Sequence, residues 1–308
     1  MGKSVFVRIY TSLLVLIGAL IVVFIIMNVL PGDPALMMLD PAESTPEMIA
    51  TMRHQLGLDR PFYVRFAEYF INLLHGDFGN SMVNSDPVLP KIIKHFPATL
   101  ALTAMSSAIA VVIGIVLGVL SAIHRNKPID LLARLIGLFG ISMPTFWSGI
   151  LLILIFSVQL GWLPAMGSTG FKSLIMPSLT LGLVGAGFIV RMVRTSMLDV
   201  INESFIVTLR SKGLSERAIM YQHALRNALI PAITMIGMIV GEMLAGTVVI
   251  ETVFSRQGIG RIIADAIMAK DLPVVQGVVF FSAVVYIIVN LLVDLSYSFI
   301  DPRVRRAS

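Results

Sequence analysis

The sequence contains no cysteine, and only 13% of its 308 residues are charged. The lack of cysteine excludes a disulfide framework, a thiolate zinc site, an iron–sulfur cluster and a cysteine nucleophile. A soluble globular domain carries roughly twice this share of charge, because its surface faces water. With 56% hydrophobic residues and a mean hydropathy of +0.89, the shortage of charge indicates a protein surface that faces hydrocarbon.

The usual signatures of catalysis are also missing. The one match to the end of a phosphate-binding loop, Gly2-Lys3-Ser4, lacks the upstream glycine and the preceding strand. The five histidines are scattered, without helical i,i+4 spacing, and there is no Gly-x-Ser-x-Gly elbow. We therefore predict no catalytic residue, no metal site and no cofactor on this chain, so that any ATP energy must come from another subunit.

Six stretches are apolar and long enough to cross a bilayer, which takes about 20 residues per helix. Backbone groups cannot face lipid unpaired, so these spans must be helices. We read the first as a retained helix and not as a cleaved signal peptide, since its apolar run is too long. The prediction is an all-α, polytopic membrane helix bundle with six transmembrane helices, at residues 9–30, 97–123, 135–158, 173–190, 227–250 and 272–300.

The net charge of +5 fits orientation charge on cytoplasmic loops better than nucleic-acid binding. Short segments rich in Lys and Arg, the turn at 125–127 and the end at 303–306, place both termini in the cytoplasm. The whole chain, 1–308, is expected to be a single transmembrane domain. On the external side of the membrane we expect a loop at 31–96 with short helices at 46–56 and 61–74. On the cytoplasmic side we expect a segment at 194–226.

Glycine and proline patterns indicate how the spans pack and bend. Small residues four apart let helix backbones approach closely in a membrane. The pairs Gly114/Gly118 and Gly237/Gly241 therefore predict close helix contacts. Other glycines and prolines predict bent helices: Gly182, Gly185, Gly187, Pro144, Pro177 and Pro231.

Two carboxylates, Glu242 and Asp294, interrupt the last two apolar spans. A carboxylate near the bilayer centre costs several kcal/mol unless it faces the bundle interior or water. One reading makes these residues lining groups for a polar or cationic substrate. The other makes them partners in interhelical hydrogen bonds, or residues closer to the interface than the sequence suggests.

The inner segment is predicted to be a helix, a break at Gly213, and a second helix that begins after a Ser215 cap with Glu216 in its first turn. It is short and cationic. It could be an ordinary loop that obeys the positive-inside rule, or a docking element for a cytoplasmic protein.

The segment carries, in order, Phe205, Thr208, Arg210, Lys212-Gly213, His223-Ala224-Leu225-Arg226-Asn227-Ala228 and Pro231. This pattern resembles the EAA loop in permease subunits of binding-protein-dependent ABC importers, in the version found in dipeptide, oligopeptide and nickel systems. Further motifs in family order extend the resemblance over nearly the whole chain: Leu30-Pro31-Gly32-Asp33-Pro34, Leu56-Gly57-Leu58-Asp59-Arg60-Pro61, Gly76-Asp77-Phe78-Gly79, Val253-Phe254, Gly258-Ile259-Gly260 and Asp301-Pro302-Arg303. The general motif begins Glu-Ala-Ala, where this chain has Val207, Thr208 and Leu209. Its closing proline is replaced by Arg226.

The resemblance implies the type I ABC importer permease fold and a place in the bacterial inner membrane. It also implies a heterodimer with a second, similar permease, two ATPase subunits that bind ATP and Mg, and an external solute-binding protein. The residues that it assigns to coupling with the ATPase are Phe205, Thr208, Arg210, Lys212, Gly213, Leu214, Ser215, His223, Leu225 and Arg226.

The substrate remains open between short peptides, which we favour, glutathione and chelated nickel. A rival from another class is an ATP-independent proton-coupled carrier that would use Glu242 and Asp294 as its relay and would need no docking element.

Overall fold

The computed structural model describes residues 2–29, 35, 45–55 and 57–300, and side chains are described there except at 2–9, 27–29, 55 and 294–300. Within these ranges the chain is helical and has no β-strand, and its one extended pairing is an isolated antiparallel bridge between Asn80 and Pro87. The all-α prediction is confirmed.

The described connections between helices vary from two residues, at 143–144, to the loop between Leu74 and Val88. Two π-helical segments, Ile153–Gln159 and Ile219–Ala224, continue the helices α6 and α9 without a break. In chain order the helices are α1 (Gly2–Val29), α2 (Pro46–Gln55), α3 (Phe62–Leu74), α4 (Val88–Ile123), α5 (Pro128–Ser142), α6 (Thr145–Leu152), α7 (Lys172–Ile201), α8 (Ser204–Ser211), α9 (Glu216–Ala218), α10 (Leu225–Val253), α11 (Ile259–Met268) and α12 (Leu272–Ile300).

Each predicted span falls on helical structure. Four helical runs are long and apolar enough to cross a membrane by themselves: α4, α7, the continuous run Glu216–Val253 and the described part of α12, Leu272–Val293. In addition, α1 contains the apolar stretch Tyr10–Ile26, and α5 and α6 form a broken span. Helix α4 begins at Val88, so the preceding loop ends before residue 96, where the sequence placed its end. The two short helices predicted in that loop are confirmed as α2 and α3.

The third span is not the single helix that the sequence predicted over 135–158. Helix α5 begins earlier, at Pro128, and meets the run Thr145–Gln159 at an angle of 112°. The break lies at Met143 and Pro144, where Met143 is extended, with φ −83° and ψ 131°. Proline disfavours the α conformation in the residue before it, which accounts for the bend. Pro177 and Pro231, by contrast, lie inside the uninterrupted helices α7 and α10.

Contacts divide the chain into two compact units, and the first comprises residues 1–97 and 261–287. In it, the ring of Phe24 on α1 packs against aromatic rings of α3, edge-on to Phe62 with 5.0 Å between centroids. Asp271, just before α12, is 3% exposed and accepts hydrogen bonds from the Ser81 hydroxyl and from the Met82 N–H, the latter 3.0 Å long. These contacts tie the loop before α4 to the start of α12.

The second unit comprises residues 98–260 and 288–308 and has α7 at its centre. Gly114 and Gly118 of α4 face Ile189 and Val193 of α7, and a Cβ placed on Gly118 would lie 2.7 Å from the Cβ of Val193. That distance is shorter than any real carbon contact. The close packing predicted for this pair of glycines is confirmed.

On another face of α7 the approach is closer still. A Cβ on Gly140 of α5 would overlap the carbonyl oxygen of Leu183, and one on Gly187 of α7 would overlap the carbonyl oxygen of Gly137. Gly182, Gly185 and Gly187 lie inside the uninterrupted helix α7 and make close contacts with neighbouring helices, and the bends predicted from them stay a prediction. Gly237 and Gly241 are buried on α10.

The α5–α7 contact gives a testable consequence. Gly140→Ala should lower the free energy of unfolding by about 2 kcal/mol, because the new methyl group meets backbone that cannot rotate away. Thermal unfolding of the purified protein in detergent measures the effect. The matched control is Gly18→Ala in α1, where a Cβ meets nothing within 4 Å. Equal midpoints for the two variants would contradict the proposed packing.

Candidate functional site

The sequence placed the inner segment at 194–226, but α7 continues to Ile201. Residues 204–226, named here the coupling segment after the role that the resemblance implies, form the short helix α8, a tight turn and the start of the next helical run. Helix α8 ends at Ser211, and Gly213 follows with φ +77°. The Gly213 N–H donates to the Arg210 carbonyl at 2.9 Å, and the Leu214 N–H donates to the Leu209 carbonyl at 3.3 Å. Left-handed glycine with such hydrogen bonds is a common helix ending. The predicted break at Gly213 is confirmed.

The second helix is capped as the sequence predicted. The Ser215 backbone is extended, and its hydroxyl accepts a hydrogen bond from the Ala218 N–H at 3.4 Å. Across the turn, the Arg210 guanidinium donates two hydrogen bonds to the Glu216 carboxylate, 2.6 Å from Nε and 3.2 Å from Nη2. This hydrogen bonding raises the pKa of Arg210 above its usual value. Because the pair is exposed, it adds little stability, but its two-pronged geometry restrains the turn.

One face of the coupling segment is anchored in the core. Ile206 of α8 and Ile219 after α9 are fully buried. Phe205, Leu209 and Leu214 pack, partly buried, against the same cluster, which also contains residues of α7 and α10. The segment is therefore held by apolar contacts to the helices on either side of it, and displacement of the segment should displace them too.

The opposite face is open. Val207 is 59% exposed and Tyr221 is 47% exposed. A shallow concavity of about 370 Å³ lies beside the turn and is lined by Ser215, Arg217, Ala218, Tyr221 and Gln222. The coupling residues predicted from the sequence that share this exposure are Thr208, Arg210, Lys212, Gly213, Ser215 and Arg226. An exposed surface that is cationic and partly apolar suits a protein partner better than lipid.

A π-helical segment, Ile219–Ala224, lies between the turn and α10, and no pattern in the sequence predicted it. His223 lies within it, half-buried, and its carbonyl accepts a hydrogen bond of 3.0 Å from the Asn227 side chain. Leu225, also half-buried, opens α10. The predicted residues from Phe205 to Ser215 thus lie together in α8 and the turn after it. The other predicted residues, His223, Leu225 and Arg226, lie along the helical run that follows. Short π-helical turns occur often at functional sites.

Glu242 lies on an exposed stripe of α10, within a helical run that is long and apolar enough to cross a membrane. The members of this stripe recur every three or four residues, so they share one face. They are Pro231, Thr234, Met238, Glu242, Ala245, Val249 and Thr252. A carboxylate on such a face is tolerable only where it meets water or a polar partner. The side chain of Asp294 lies outside the described residues, so that prediction stays a prediction.

Sequence reasoning missed a second carboxylate on α10, Glu251, which is fully buried. The Thr99 hydroxyl donates to its Oε1 at 2.6 Å, and the Ile259 N–H donates to the Thr99 hydroxyl at 2.9 Å. A Cβ on Gly258 would overlap the Glu251 carboxylate, so the glycine is required for this approach. The motif Gly258-Ile259-Gly260 could have indicated this site, because two glycines so close together suggest a turn that another part of the chain approaches closely.

Comparison with known families now identifies the chain. Residues 114–306 match the family described as "Binding-protein-dependent transport system inner membrane component". Residues 1–103 match the family described as the N-terminal part of such membrane components. The chain belongs to this family. It is a permease subunit of an ABC importer, a multi-pass inner-membrane protein, and a transport subunit rather than an enzyme.

Curated relatives agree with the family. The permease is 42% identical over 285 residues to the glutathione transport system permease protein GsiC of Escherichia coli. It is equally similar to the protein of the same name from Salmonella typhimurium. The matched region covers 92% of this chain and 93% of each relative, so the permease is similar to these proteins over nearly its full length.

Solved structures resemble the permease in fold alone. An inward-facing structure of the MetNI methionine ABC transporter matches with a TM-score of 0.59 at 20% identity, over 68% of this chain and 96% of that one. A chain from an amino acid ABC transporter crystallised with histidines matches with a TM-score of 0.52 at 18% identity, over 70% and 94%. The permease therefore has the helix arrangement of ABC importer membrane subunits.

The turn at Gly213 generates a prediction. Gly213→Pro should lower substrate uptake per ATP hydrolysed at least fivefold while the protein stays in the membrane, because proline cannot adopt φ +77° or donate to Arg210. The measurement is parallel uptake and ATP hydrolysis by the assembled transporter in liposomes.

Gly76→Pro is the matched control for this change. Gly76 has φ +78°, and its N–H donates to the Leu73 carbonyl at 3.0 Å, so the backbone change is the same at a different turn. Its ratio of uptake to hydrolysis should stay near that of the unaltered protein. Normal uptake by Gly213→Pro would refute the coupling role of the segment.

Proposed function

We propose that the permease forms half of the translocation pathway of an ATP-driven importer for short peptides, with glutathione as the leading candidate. The observation that carries this proposal is the 42% identity over 92% of the chain to permeases named for glutathione transport. Glutathione is itself a tripeptide, so it lies within the peptide class that the sequence favoured.

The proposed assembly pairs the permease with a second, similar permease, two cytoplasmic ATPases and an external solute-binding protein. ATP and Mg would bind to the ATPases, since the permease has no phosphate-binding loop. The family description, which names binding-protein-dependent transport, supports this composition. The coupling segment also supports this composition, because one of its faces is exposed and cationic while the other packs into the core.

In the proposed orientation both termini are cytoplasmic, and the coupling segment lies on the side of the ATPases. The distribution of Lys and Arg over the short connecting segments supports this orientation. The loop before α4, with α2 and α3, then faces the solute-binding protein.

The proposed mechanism is alternating access. ATP binding would close the ATPase pair, and the coupling segment would move with it and shift α7 and α10, on which it is anchored. To reverse a 1:99 equilibrium to 99:1, the nucleotide must favour one state by about 5.5 kcal/mol. A docking element transmits such a preference only if it is stiff, and the Gly213 turn, the Ser215 cap and the buried Ile206 and Ile219 supply that stiffness.

The exposed stripe of α10 is the proposed lining of the pathway. Glu242 would accept hydrogen bonds from the amino group of a peptide, because a carboxylate in a poorly hydrated passage prefers a cationic partner. Asp294 remains a second candidate for this role. Small changes of exposed side chains along the stripe should then alter affinity for substrate and leave folding intact.

Two other functions compete with this proposal. A nickel chelate could replace the peptide as the substrate, because the sequence resemblance includes nickel systems as well as peptide systems. The proton-coupled carrier is disfavoured, because the family is one of binding-protein-dependent systems.

The deciding experiment is a pull-down of the tagged permease from detergent, followed by reconstitution of the recovered complex. The expected result is recovery of a second permease and ATPase subunits. In liposomes with the binding protein, uptake of labelled glutathione should require ATP. Recovery of the permease alone, active without ATP, would overturn the importer. ATP-driven uptake of a nickel chelate but of neither glutathione nor dipeptides would overturn the peptide assignment.

Neutralising Glu242 tests the pathway. Glu242→Gln should raise the KM for uptake about tenfold with little change in assembly, since it removes a charge-assisted hydrogen bond to the substrate. Initial rates of uptake at varied substrate concentration measure this. Asp265→Asn, which neutralises an exposed carboxylate on α11, is the control and should leave the KM unchanged. An unchanged KM in Glu242→Gln would remove Glu242 from the pathway.

A further inference from the structure

We propose that Asp130 is a positioning residue that locks α7 to α4 and α5, so that movement of the coupling segment is passed to all three helices together. The inference rests on the proposed importer function and goes beyond it, because Asp130 touches neither the coupling segment nor the α10 stripe.

Asp130 lies in the first turn of α5 and is fully buried. Its carboxylate accepts hydrogen bonds from the Ser121 hydroxyl at 2.6 Å and from the Asn126 N–H at 2.9 Å. Arg194 of α7 donates to both oxygens, from Nε at 2.9 Å and from Nη2 at 3.0 Å. Arg134, one turn further along α5, adds an ion pair at 3.3 Å. One side chain thus joins three helices and the turn between two of them.

The chemistry of the site makes this junction costly to break. A buried carboxylate must be paired and hydrogen-bonded, and removal of one charged partner leaves an uncompensated charge. The Arg194 fork is also geometrically selective, because two parallel hydrogen bonds fix both the distance and the orientation of α7. Asn126, with φ +63°, holds the tight turn that carries its N–H to Asp130.

The position of Arg194 connects this junction to the coupling segment. Helix α7 continues for two turns beyond Arg194 to Ile201, and only Asn202 and Glu203 separate it from α8. Met197 is fully buried and Val200 is 8% exposed, so this stretch of α7 is packed in the core. A displacement of α8 therefore acts on α7 close to Arg194.

The glycine contacts join the same three helices further along their length, where α4 and α5 each meet α7. Those contacts are made by backbone atoms and apolar side chains, and dispersion contacts of this kind resist separation of the helices better than sliding or rotation along the helix axis. The Asp130–Arg194 pair adds a directional restraint against that motion. Without it, α7 can move with the coupling segment while α4 and α5 lag behind, and hydrolysis then proceeds with less transport.

A purely structural ion pair would behave differently. Its loss would reduce the amount of assembled transporter, but each assembled complex would still move the same amount of substrate per ATP. The ratio of uptake to hydrolysis in reconstituted complexes therefore separates a positioning role from a stabilising one.

The test compares Arg194→Gln with Arg191→Gln in the full complex, in liposomes loaded with ATP and given labelled glutathione. Arg191 lies on the same helix, one turn earlier, and is exposed. At equal incorporation, Arg194→Gln should keep its ATP hydrolysis within twofold and lower uptake per ATP at least fivefold, the lower end of typical coupling between sites. Arg191→Gln should match the unaltered protein in both measurements.

If Arg194→Gln does not assemble, uptake per ATP hydrolysed is measured for Arg194→Lys instead, because lysine keeps the charge and loses the two-pronged geometry. An unchanged ratio in the variant that assembles would overturn the positioning role. If the unaltered complex shows no ATP-driven uptake of any peptide, the proposed importer function is wrong. Uptake by the unaltered complex therefore distinguishes failure of the proposed function from failure of the positioning role of Asp130.

Discussion

The backbone-to-backbone approach of α4 and α5 to α7 is the constraint on which the second compact unit depends. Lipid tails are as apolar as leucine, so helices in a membrane gain little from simple hydrophobic burial against each other. They gain instead from dispersion contacts at short range, and these need small residues. Gly118 lies against the Val193 side chain and Gly140 against the Leu183 carbonyl, and neither contact leaves room for a side chain in place of the glycine. Such contacts hold the helices close together, and the Asp130–Arg194 pair restrains sliding and rotation of one helix against another.

That packing also explains where function is placed. Because α7 is packed along two faces, its C-terminal end is rigidly held. Only two residues, Asn202 and Glu203, separate this end from the coupling segment. The segment keeps its apolar side in the core through Ile206 and Ile219 and offers its polar side outward. The next helix, α10, carries Glu242 on its exposed stripe. The predicted docking surface at 204–226 and the candidate pathway at 231–252 are therefore neighbours in the chain.

Much of this could be predicted from the sequence because the signals are local. Apolar runs located the spans, and Gly213, Ser215 and Glu216 predicted the turn and cap of the coupling segment. Asp130 was missed because its partners Ser121 and Arg194 are brought to it only by tertiary packing, and a single aspartate near a loop looks like surface charge. Glu251 was missed because it lies at the end of its apolar span. The 112° break was only half foreseen, since Pro144 indicated a bend but not that the helix would start at Pro128.

The π-helical turn at Ile219–Ala224 has a consequence for the direction in which the chain around it faces. A wider turn accommodates one residue more than the same stretch of α-helix, and one residue corresponds to about 100° of rotation. A single deletion here would restore α geometry and rotate the face of α9 relative to the stripe of α10. It would also turn the buried Ile219 away from the core, so the wider turn lets this part of the chain keep its core contact and its outward face at the same time.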